Sequence, residues 1–317
     1  MTRASMVTAL AMASLASFAS HACAPSLGQR DSLVTRERVL AIRGEPAEAA
    51  PGDDVTYTAL VASPDGTVTA SAIAWAACAT PKPLGENDVV PPECLGGGDA
   101  VRPLGDAAAS SAIHAALPSD ACALYGPDTP SGDYRPRDPD VTGGFYEPVR
   151  ATLASGSGSA IHLERVACKL ANAPADVASD FAKRYVRNAN PHLDVSWPSA
   201  PVVRGGRVEL TASWKADDAE TYVVFDPASQ SVAVRRESMR VSWFASAGSF
   251  DADRTGQGAA TVGAGAAPDE LATSSTNGWV APSASGSEPI VVHVWVVVRD
   301  SRGGIEFVAK DLAVAPE

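Results

Sequence analysis

The chain has 317 residues, of which 45% are hydrophobic and 20% charged, and a formal net charge of -12. Length and composition suit a packed protein of about two domains and exclude wholesale disorder. The acidity excludes nucleic acid as a partner, which needs clustered Lys and Arg, and also excludes attraction to an anionic lipid surface by charge alone.

Arg3 precedes the uncharged run 6–19, and the small residue Ala22 stands just before Cys23. A positive start, a short apolar core and a small-residue cleavage site make residues 1–22 an export signal. The run is too short and too rich in Ala and Ser for a permanent membrane span. Ser20-His21-Ala22-Cys23 resembles a bacterial lipobox, with Ser20 where that family prefers Leu. The resemblance implies a diacylglyceryl group on Cys23, and two acyl chains are enough for stable anchoring. The alternative is plain secretion, which leaves a free thiol at Cys23. Cysteine parity favours the lipid, since setting Cys23 aside leaves four of the five cysteines for an oxidising compartment. Ala24 replaces the Asp that retains enteric lipoproteins at the inner membrane. The expected place is therefore the outer membrane, on its periplasmic or cell-surface side, with the lipid anchor as the membrane contact.

Residues 23–36 are polar and aperiodic and read as a tether. Strand signals follow. The segments 55–61, 208–214 and 290–298 alternate β-branched or aromatic residues and are bounded by Gly, Pro and Asp. An internal repeat sets the organisation. At one constant offset Leu40, Ile42, Gly52, Val55, Tyr57, Thr58 and Ala59 fall on Leu193, Val195, Gly205, Val208, Leu210, Thr211 and Ala212. Farther along, Trp75 corresponds to Trp243, each where an immunoglobulin-like sandwich buries a Trp on its third strand. Each copy closes with a strand pair. The expected fold is all-β, with tandem immunoglobulin-like β-sandwiches at 37–171 and 192–317.

Two segments interrupt that pattern. Residues 79–144, rich in Pro, Gly and Asp, read as a long insertion in the first sandwich, and an insertion of that length needs staples or a function. Cys78, Cys94, Cys122 and Cys168 permit three pairings. Cys78–Cys94 is preferred because it closes a local loop beside the Trp75 strand, and Cys122–Cys168 because it ties the insertion to the last strand. A zinc site lacks both a Cys-x-x-Cys pair and a suitably spaced His. Residues 172–191 read as a helical connector. Val177, Phe181 and Tyr185 lie four apart with Val186 beside them, Pro174 suits the start, and Asn190-Pro191 suits the end.

Several segments resemble an uncharacterised lipoprotein family common in myxobacteria. They are Trp75-Ala-Ala-Cys-Ala-Thr-Pro-Lys-Pro83, the run 135–150, Phe181-Ala-Lys-Arg-Tyr185 with Asn190-Pro191, and the run 296–304. The resemblance implies surface placement and carries no activity.

Motifs for chemistry are sparse. Asp251 and Asp253 open a calcium-loop pattern, but Val262 stands where the bidentate Glu belongs, so a solvated hairpin tip is the better reading. Asp128, Asp133, Asp138 and Asp140 form an acidic Pro-rich stretch that reads as exposed loop. No serine-hydrolase elbow, zinc-protease or phosphate-loop motif occurs, and no cofactor is implied. His114, His162, His192 and His293 are scattered singly. Trp197, Trp214, Trp279 and Trp295 read as packing residues, with an exposed sugar-stacking platform as the alternative. The expected role is non-enzymatic: a cell-envelope lipoprotein acting in binding, adhesion or scaffolding towards an envelope protein or polysaccharide. The alternative is a carbohydrate-active accessory protein or an enzyme with an unrecognised site.

Overall fold

Alternation at 55–61 puts Val55, Tyr57, Ala59 and Val61 on one face of a strand, and all four are buried in one core. The computed structural model describes residues 31–69, 72–80, 90–96, 98–105, 111–126, 144–170, 173–226, 228–256, 260–261, 272–283 and 286–316. Cys23, the export signal and the acidic stretch containing Asp128 and Asp140 lie outside them. Residues 31–317 form one compact unit.

The first sandwich contains β1 (Arg38–Glu45), β2 (Glu48–Ala49), β3 (Asp54–Ser63), β4 (Gly66–Thr67), β5 (Ile73–Cys78), β6 (Val101–Pro103), β7 (Ala112–Ala116), β8 (Gly144–Leu153) and β9 (Ser159–Ala167). One sheet is β1-β3-β4, with β7 also on β3, and the other runs β2-β9-β8-β5-β6. The helix α3 (Ala175–Arg184) follows two single-turn helices, α1 (Glu93–Gly96) and α2 (Ala121–Leu124). The second half comprises β10 (Asp194–Ser196), β11 (Val202–Val203), β12 (Arg207–Ser213), β13 (Thr221–Asp226), β14 (Ser231–Arg236), β15 (Arg240–Ala245), β16 (Ser249–Phe250), β17 (Arg254–Gly256), β18 (Ala260–Thr261), β19 (Ser274–Val280), β20 (Ile290–Arg299) and β21 (Ile305–Ala315). Its sheets run β10-β12-β19-β16 and β11-β21-β20-β15-β17, with β13-β14-β18 as a separate small sheet.

The two halves repeat one topology. In each, a two-residue strand pairs parallel with the last strand, β2 with β9 and β11 with β21, while that last strand is antiparallel to its predecessor. This strand order is that of an immunoglobulin-like sandwich, so the protein is all-β with two such sandwiches in tandem. Trp75 on β5 and Trp243 on β15 occupy equivalent places, each buried in the core of its own sandwich.

Several expectations need correction. The segment 79–144 is not one irregular loop, because β6 and β7 inside it complete the two sheets of the first sandwich. The polar tether ends before residue 36. Val34 is buried, and its N–H donates to the Ala245 carbonyl at 2.8 Å, so the segment pairs with the end of β15 that β17 leaves uncovered. The connector helix stops at Arg184, where Tyr185 turns to extended backbone, well before Asn190-Pro191. Val186 is exposed.

Cys78 is bonded to Cys94, with Cα atoms 5.4 Å apart, and Cys122 to Cys168, at 5.7 Å. The first pins α1 to the end of β5, and the second pins α2 to the segment after β9. Closing chain separations of 16 and 46 residues restricts the unfolded chain by about 3–4 kcal/mol each in the chain-entropy account.

The sandwiches meet across a third apolar cluster. Leu40 and Ala41 of β1 and Leu60 and Ala62 of β3 pack on Trp295 and Val297 of β20 and on Ile305, with Val34. A bulge at Leu40 shifts the β1–β3 register between Val39 and Ala41 and turns two successive residues to this outer face. Trp295 Nε1 also donates to Thr67 Oγ1 at 2.8 Å, and Arg299 Nη2 to the Leu40 carbonyl at 3.0 Å. Trp295 is fully buried, so replacing it with Ala removes a filled aromatic site and one hydrogen bond between the sandwiches. Trp295→Ala is expected to lower the unfolding free energy by about 3–5 kcal/mol, read from urea denaturation. A loss under about 1 kcal/mol would mean the contact contributes little.

Candidate functional site

Charged side chains are almost never fully buried unless paired, so their position inside the fold is informative. Two groups of them stand out, one between the sandwiches and one inside the first core.

At the junction, Arg165 of β9 is wholly buried and donates through Nε to Glu48 Oε2 at 3.1 Å and through Nη1 to the Tyr146 hydroxyl at 2.7 Å. The Tyr185 hydroxyl accepts from Arg165 Nη2 at 3.1 Å and donates to Glu48 Oε2 at 2.7 Å. Glu48 also accepts from the Asn188 N–H at 2.9 Å. The second centre is Arg302, in the turn between β20 and β21. Its Nε donates to Glu237 Oε1 at 2.5 Å, its Nη1 to the Val186 carbonyl at 2.8 Å and its Nη2 to Glu220. The guanidinium lies over the Tyr222 ring at 4.6 Å, a cation–π contact. Asp300 Oδ1 accepts from the N–H groups of Arg302, Gly303 and Gly304 at 2.8, 2.8 and 2.9 Å, and Asn188 Nδ2 is 3.3 Å from both of its oxygens.

The connector supplies the stitches. Tyr185 and Asn188 reach both arginine centres, and Asn190 accepts from the Ile305 N–H at 2.8 Å while donating to the Gly44 carbonyl at 2.7 Å. Burial works against the Arg302 charge, but Glu237, Tyr185 and Glu220 more than offset it, so its pKa rises. Burial pushes the Asp300 carboxyl up, opposed by its backbone N–H donors and Asn188. Burial, then the neighbouring Asp300 charge, pushes the Glu237 carboxyl up to about 8.

Inside the first sandwich, Glu147 of β8 and Glu164 of β9 are directly opposite one another in the antiparallel register. Each is in phase with core residues of its strand, Phe145 and Val149 for Glu147 and Val166 for Glu164. Glu147 Oε1 accepts from Arg102 Nη2 at 2.9 Å, and Glu164 Oε2 lies 3.0 Å from His162 Nε2. The His162 ring meets Tyr57 edge-on at 6.0 Å. Gly44 of β1 makes room, because a methyl group there would overlap the Glu164 carboxylate. Burial pushes both carboxyls above the ordinary glutamate range, against Arg102 in one case and His162 in the other. It also pushes the Tyr57 and Tyr125 hydroxyls up.

The residues singled out from sequence lie elsewhere. Asp251 is forked to Arg207, with Oδ1 2.6 Å from Nη1, and its N–H donates to the Gly278 carbonyl at 3.0 Å. Asp253 offers its carbonyl to the Trp243 N–H at 3.1 Å. Among the described residues no group of three His, Cys, Asp or Glu side chains gathers at metal-binding distance. His293 stands on the outer sheet face with Nδ1 2.6 Å from Asp311 Oδ1. His114 is 2.8 Å from Thr56 Oγ1, and His192 2.7 Å from Asp218 Oδ1. Trp214, Trp279 and Trp295 are buried, and Trp197 is half-buried against the second core. The sequence reading missed Glu147, Glu164, Arg165 and Arg302. The available signal was phase, since Glu147 occupies a core position in an otherwise apolar alternation.

Fold and site together define a tandem immunoglobulin-like module whose two sandwiches share a buried ionic junction. No protein-family model matches the chain, and no curated protein matches it in sequence. Solved structures that it is similar to include Escherichia coli alpha-2-macroglobulin activated by porcine elastase, at 11% identity over 89% of this chain and 20% of that one, TM-score 0.23. Others are three N-terminal domains of the bacteriophage RB49 outer capsid protein Hoc (10%, 88% and 59%, TM-score 0.17) and the Yersinia pseudotuberculosis adhesin InvE (11%, 87% and 58%, TM-score 0.22). The chain thus spans about a fifth of the macroglobulin's length. The fold assignment rests on strand order and the paired parallel edges, not on these likenesses.

Arg302→Met is expected to cost about 3–5 kcal/mol, since it strands Glu220 and Glu237 beside Asp300 without their cation. Urea denaturation checks it, and a neutral effect would contradict the pairing. A carboxyl raised in the folded state keeps its proton there while the unfolded chain releases it. The stability contributed by Glu147 and Glu164 is therefore complete below about pH 4.3 and lost as pH rises through their folded values, at up to about 1.4 kcal/mol per pH unit each. Glu164→Gln is expected to flatten the fall in unfolding free energy above pH 5. An unchanged slope would contradict the assignment.

Proposed function

We propose that this chain is a non-enzymatic cell-envelope lipoprotein, held at the outer membrane through Cys23, that presents two coupled sandwiches for binding, adhesion or scaffolding. The observation that carries the reading is the junction. The Trp295 contact and the Arg165 and Arg302 centres join the two sandwiches along a shared face, which suits a stiff presenting arm. Both described disulfides fit an oxidising compartment. Among the described residues no helix is long and apolar enough to cross a membrane, and attachment is assigned to the lipid. The sandwich ends and sheet edges are the surfaces on which such folds take partners, an argument by analogy of fold.

The enzymatic alternative is less well supported by the charged cluster. Glu147 and Glu164 are 1% and 0% exposed, so no substrate reaches them in this conformation. A sugar platform has no support from the described tryptophans, which are packed.

The test is labelled-palmitate incorporation in a bacterial host, followed by cross-linking in intact envelopes. Wild-type chain is expected to take up label and fractionate with the outer membrane, and Cys23→Ala to lose both. Equal label in the variant would overturn the anchor. Cross-linking is expected to capture a discrete envelope protein or polysaccharide fraction, and the absence of any adduct from the anchored chain would overturn the presenting role.

A further inference from the structure

Residues 31–34 are a strap that ties the start of the described chain to the second sandwich. The Val34 N–H donates to the Ala245 carbonyl, and the Ala245 N–H donates to the Ser32 carbonyl, both at 2.8 Å. Val34 is buried in the apolar cluster between the sandwiches. The chain therefore enters beside β15, at the exposed Asp31. Arginines gather on the sheet face around that point. Arg240 of β15 stands directly opposite Arg299 of β20 in the antiparallel register, so both side chains project from one face. Arg254 of β17 is opposite Ser242, one step along the same face. Arg38 lays its guanidinium over the Phe244 ring at 5.3 Å, farther along that face, and donates to the Asp31 carbonyl. Arg36 is close enough to act on the Arg38 charge. Arg36, Arg240 and Arg254 are exposed. The acids here are fewer. Asp31 is 3.8 Å from Arg254, Asp253 lies near Arg38, and Glu37 accepts from the Ser155 hydroxyl. Among the described residues no carboxylate lies at ion-pair distance from Arg36, Arg38, Arg240 or Arg299. Like charge is crowded, since burial, then Arg254, pushes the Arg299 guanidinium down to about 10. In a chain of net charge -12 a face with surplus cation is an exception. Forked guanidinium groups match the oxygens of a phosphate.

We propose that this arginine face is the surface the protein lays against a bilayer, where it binds the phosphate groups of anionic phospholipids. The proposal rests on the reading of Cys23 as the lipid-bearing residue. Asp31 follows Cys23 by eight residues, and that length of chain reaches at most about 30 Å in any conformation. The strap thus keeps this part of the molecule within that distance of the membrane. The charge of the whole chain opposes adsorption, so the face does not recruit the protein by itself. It sets which side meets the bilayer once the anchor has brought the chain there, because a polybasic patch adds to acyl anchoring. Salt screens that attraction.

The test uses the mature chain from Cys23 onward, with the Cys23 thiol coupled to a maleimide lipid in preformed vesicles. The result then does not depend on whether a cell lipidates that residue. A fluorescent amino acid is placed either at Thr35, exposed beside the arginines, or at Ser274, exposed on the outer face of the opposite sheet. Quenching by a nitroxide on the lipid headgroup reports which side meets the bilayer. On vesicles of equal parts phosphatidylcholine and phosphatidylglycerol, quenching at Thr35 is expected to exceed that at Ser274 several-fold. The difference is expected to vanish on phosphatidylcholine alone, and in the chain carrying Arg36→Gln, Arg240→Gln and Arg254→Gln. Those three side chains are exposed, and near-ultraviolet dichroism checks that the variant keeps its fold. Asp31→Asn, which takes an exposed acid from the face and leaves its arginines in place, is expected to raise the quenching at Thr35. Equal quenching at the two sites, a preference that ignores phosphatidylglycerol, or one that survives the triple substitution would overturn the proposal.

Discussion

A guanidinium taken out of water must have its donors matched, and two of them lie between the sandwiches. Arg165 belongs to the last strand of the first sandwich and Arg302 to the final turn of the second, yet the connector supplies partners to both. This requirement explains the shape of residues 185–190. The helix has to stop at Arg184 so that Tyr185 swings towards Glu48 and Arg165, the Val186 carbonyl meets Arg302, and Asn188 lies between Glu48 and Asp300. Continued helix would carry these groups around the axis and strand both cations. Such a network adds little net stability over an apolar filling of the same shape, but it is costly to break. Its consequence is orientation: the partners are fixed in direction as well as distance, and the hydrogen bonds from Trp295 and Arg299 add to this at the apolar contact.

The same logic extends into the first sandwich. Glu164 lies close enough to Glu48 to feel its charge, and Glu147 and Glu164 face one another across adjacent strands. Polar groups therefore continue from the junction into a core that an ordinary sandwich fills with Val and Leu. Gly44 leaves the space for Glu164, and Arg102 on the short edge strand β6 reaches in to Glu147. Parts of the 79–144 segment thus act on the core: β6 carries Arg102, and α2 is followed by Tyr125, whose hydroxyl donates to the Cys78 carbonyl.

How far the sequence reveals this depends on the kind of residue involved. The sandwich architecture is legible because its strands alternate β-branched and aromatic residues with period two and the repeat aligns Val55 with Val208 and Trp75 with Trp243. The strand β7 escapes notice because Ala-Ile-His-Ala-Ala has one strong strand former, Ile113, and no clear alternation, and it gains its place by pairing with β3. The helix end is misplaced for a related reason. Asn190-Pro191 is a valid stop signal, but the earlier stop is imposed by tertiary partners that no local pattern contains. The junction is hidden for the same reason: Arg165, Glu48 and Arg302 are far apart in sequence and look like ordinary surface charges until the fold brings them together. The calcium-like Asp251 shows the opposite case, a local motif that the fold commits to Arg207 across the sheet.

For the proposed presenting role stiffness matters, because an arm with a fixed angle between its sandwiches places distant loops at a defined separation. Joined through Trp295 and the two arginine centres, the two sandwiches are expected to move as one body near neutral pH. Residual dipolar couplings of backbone amides in weakly aligned protein at pH 6.5 test it most directly. Couplings from the first and second sandwiches, fitted separately, are expected to return the same alignment tensor in magnitude and orientation. Tensors of clearly different magnitude would show independent motion and contradict it.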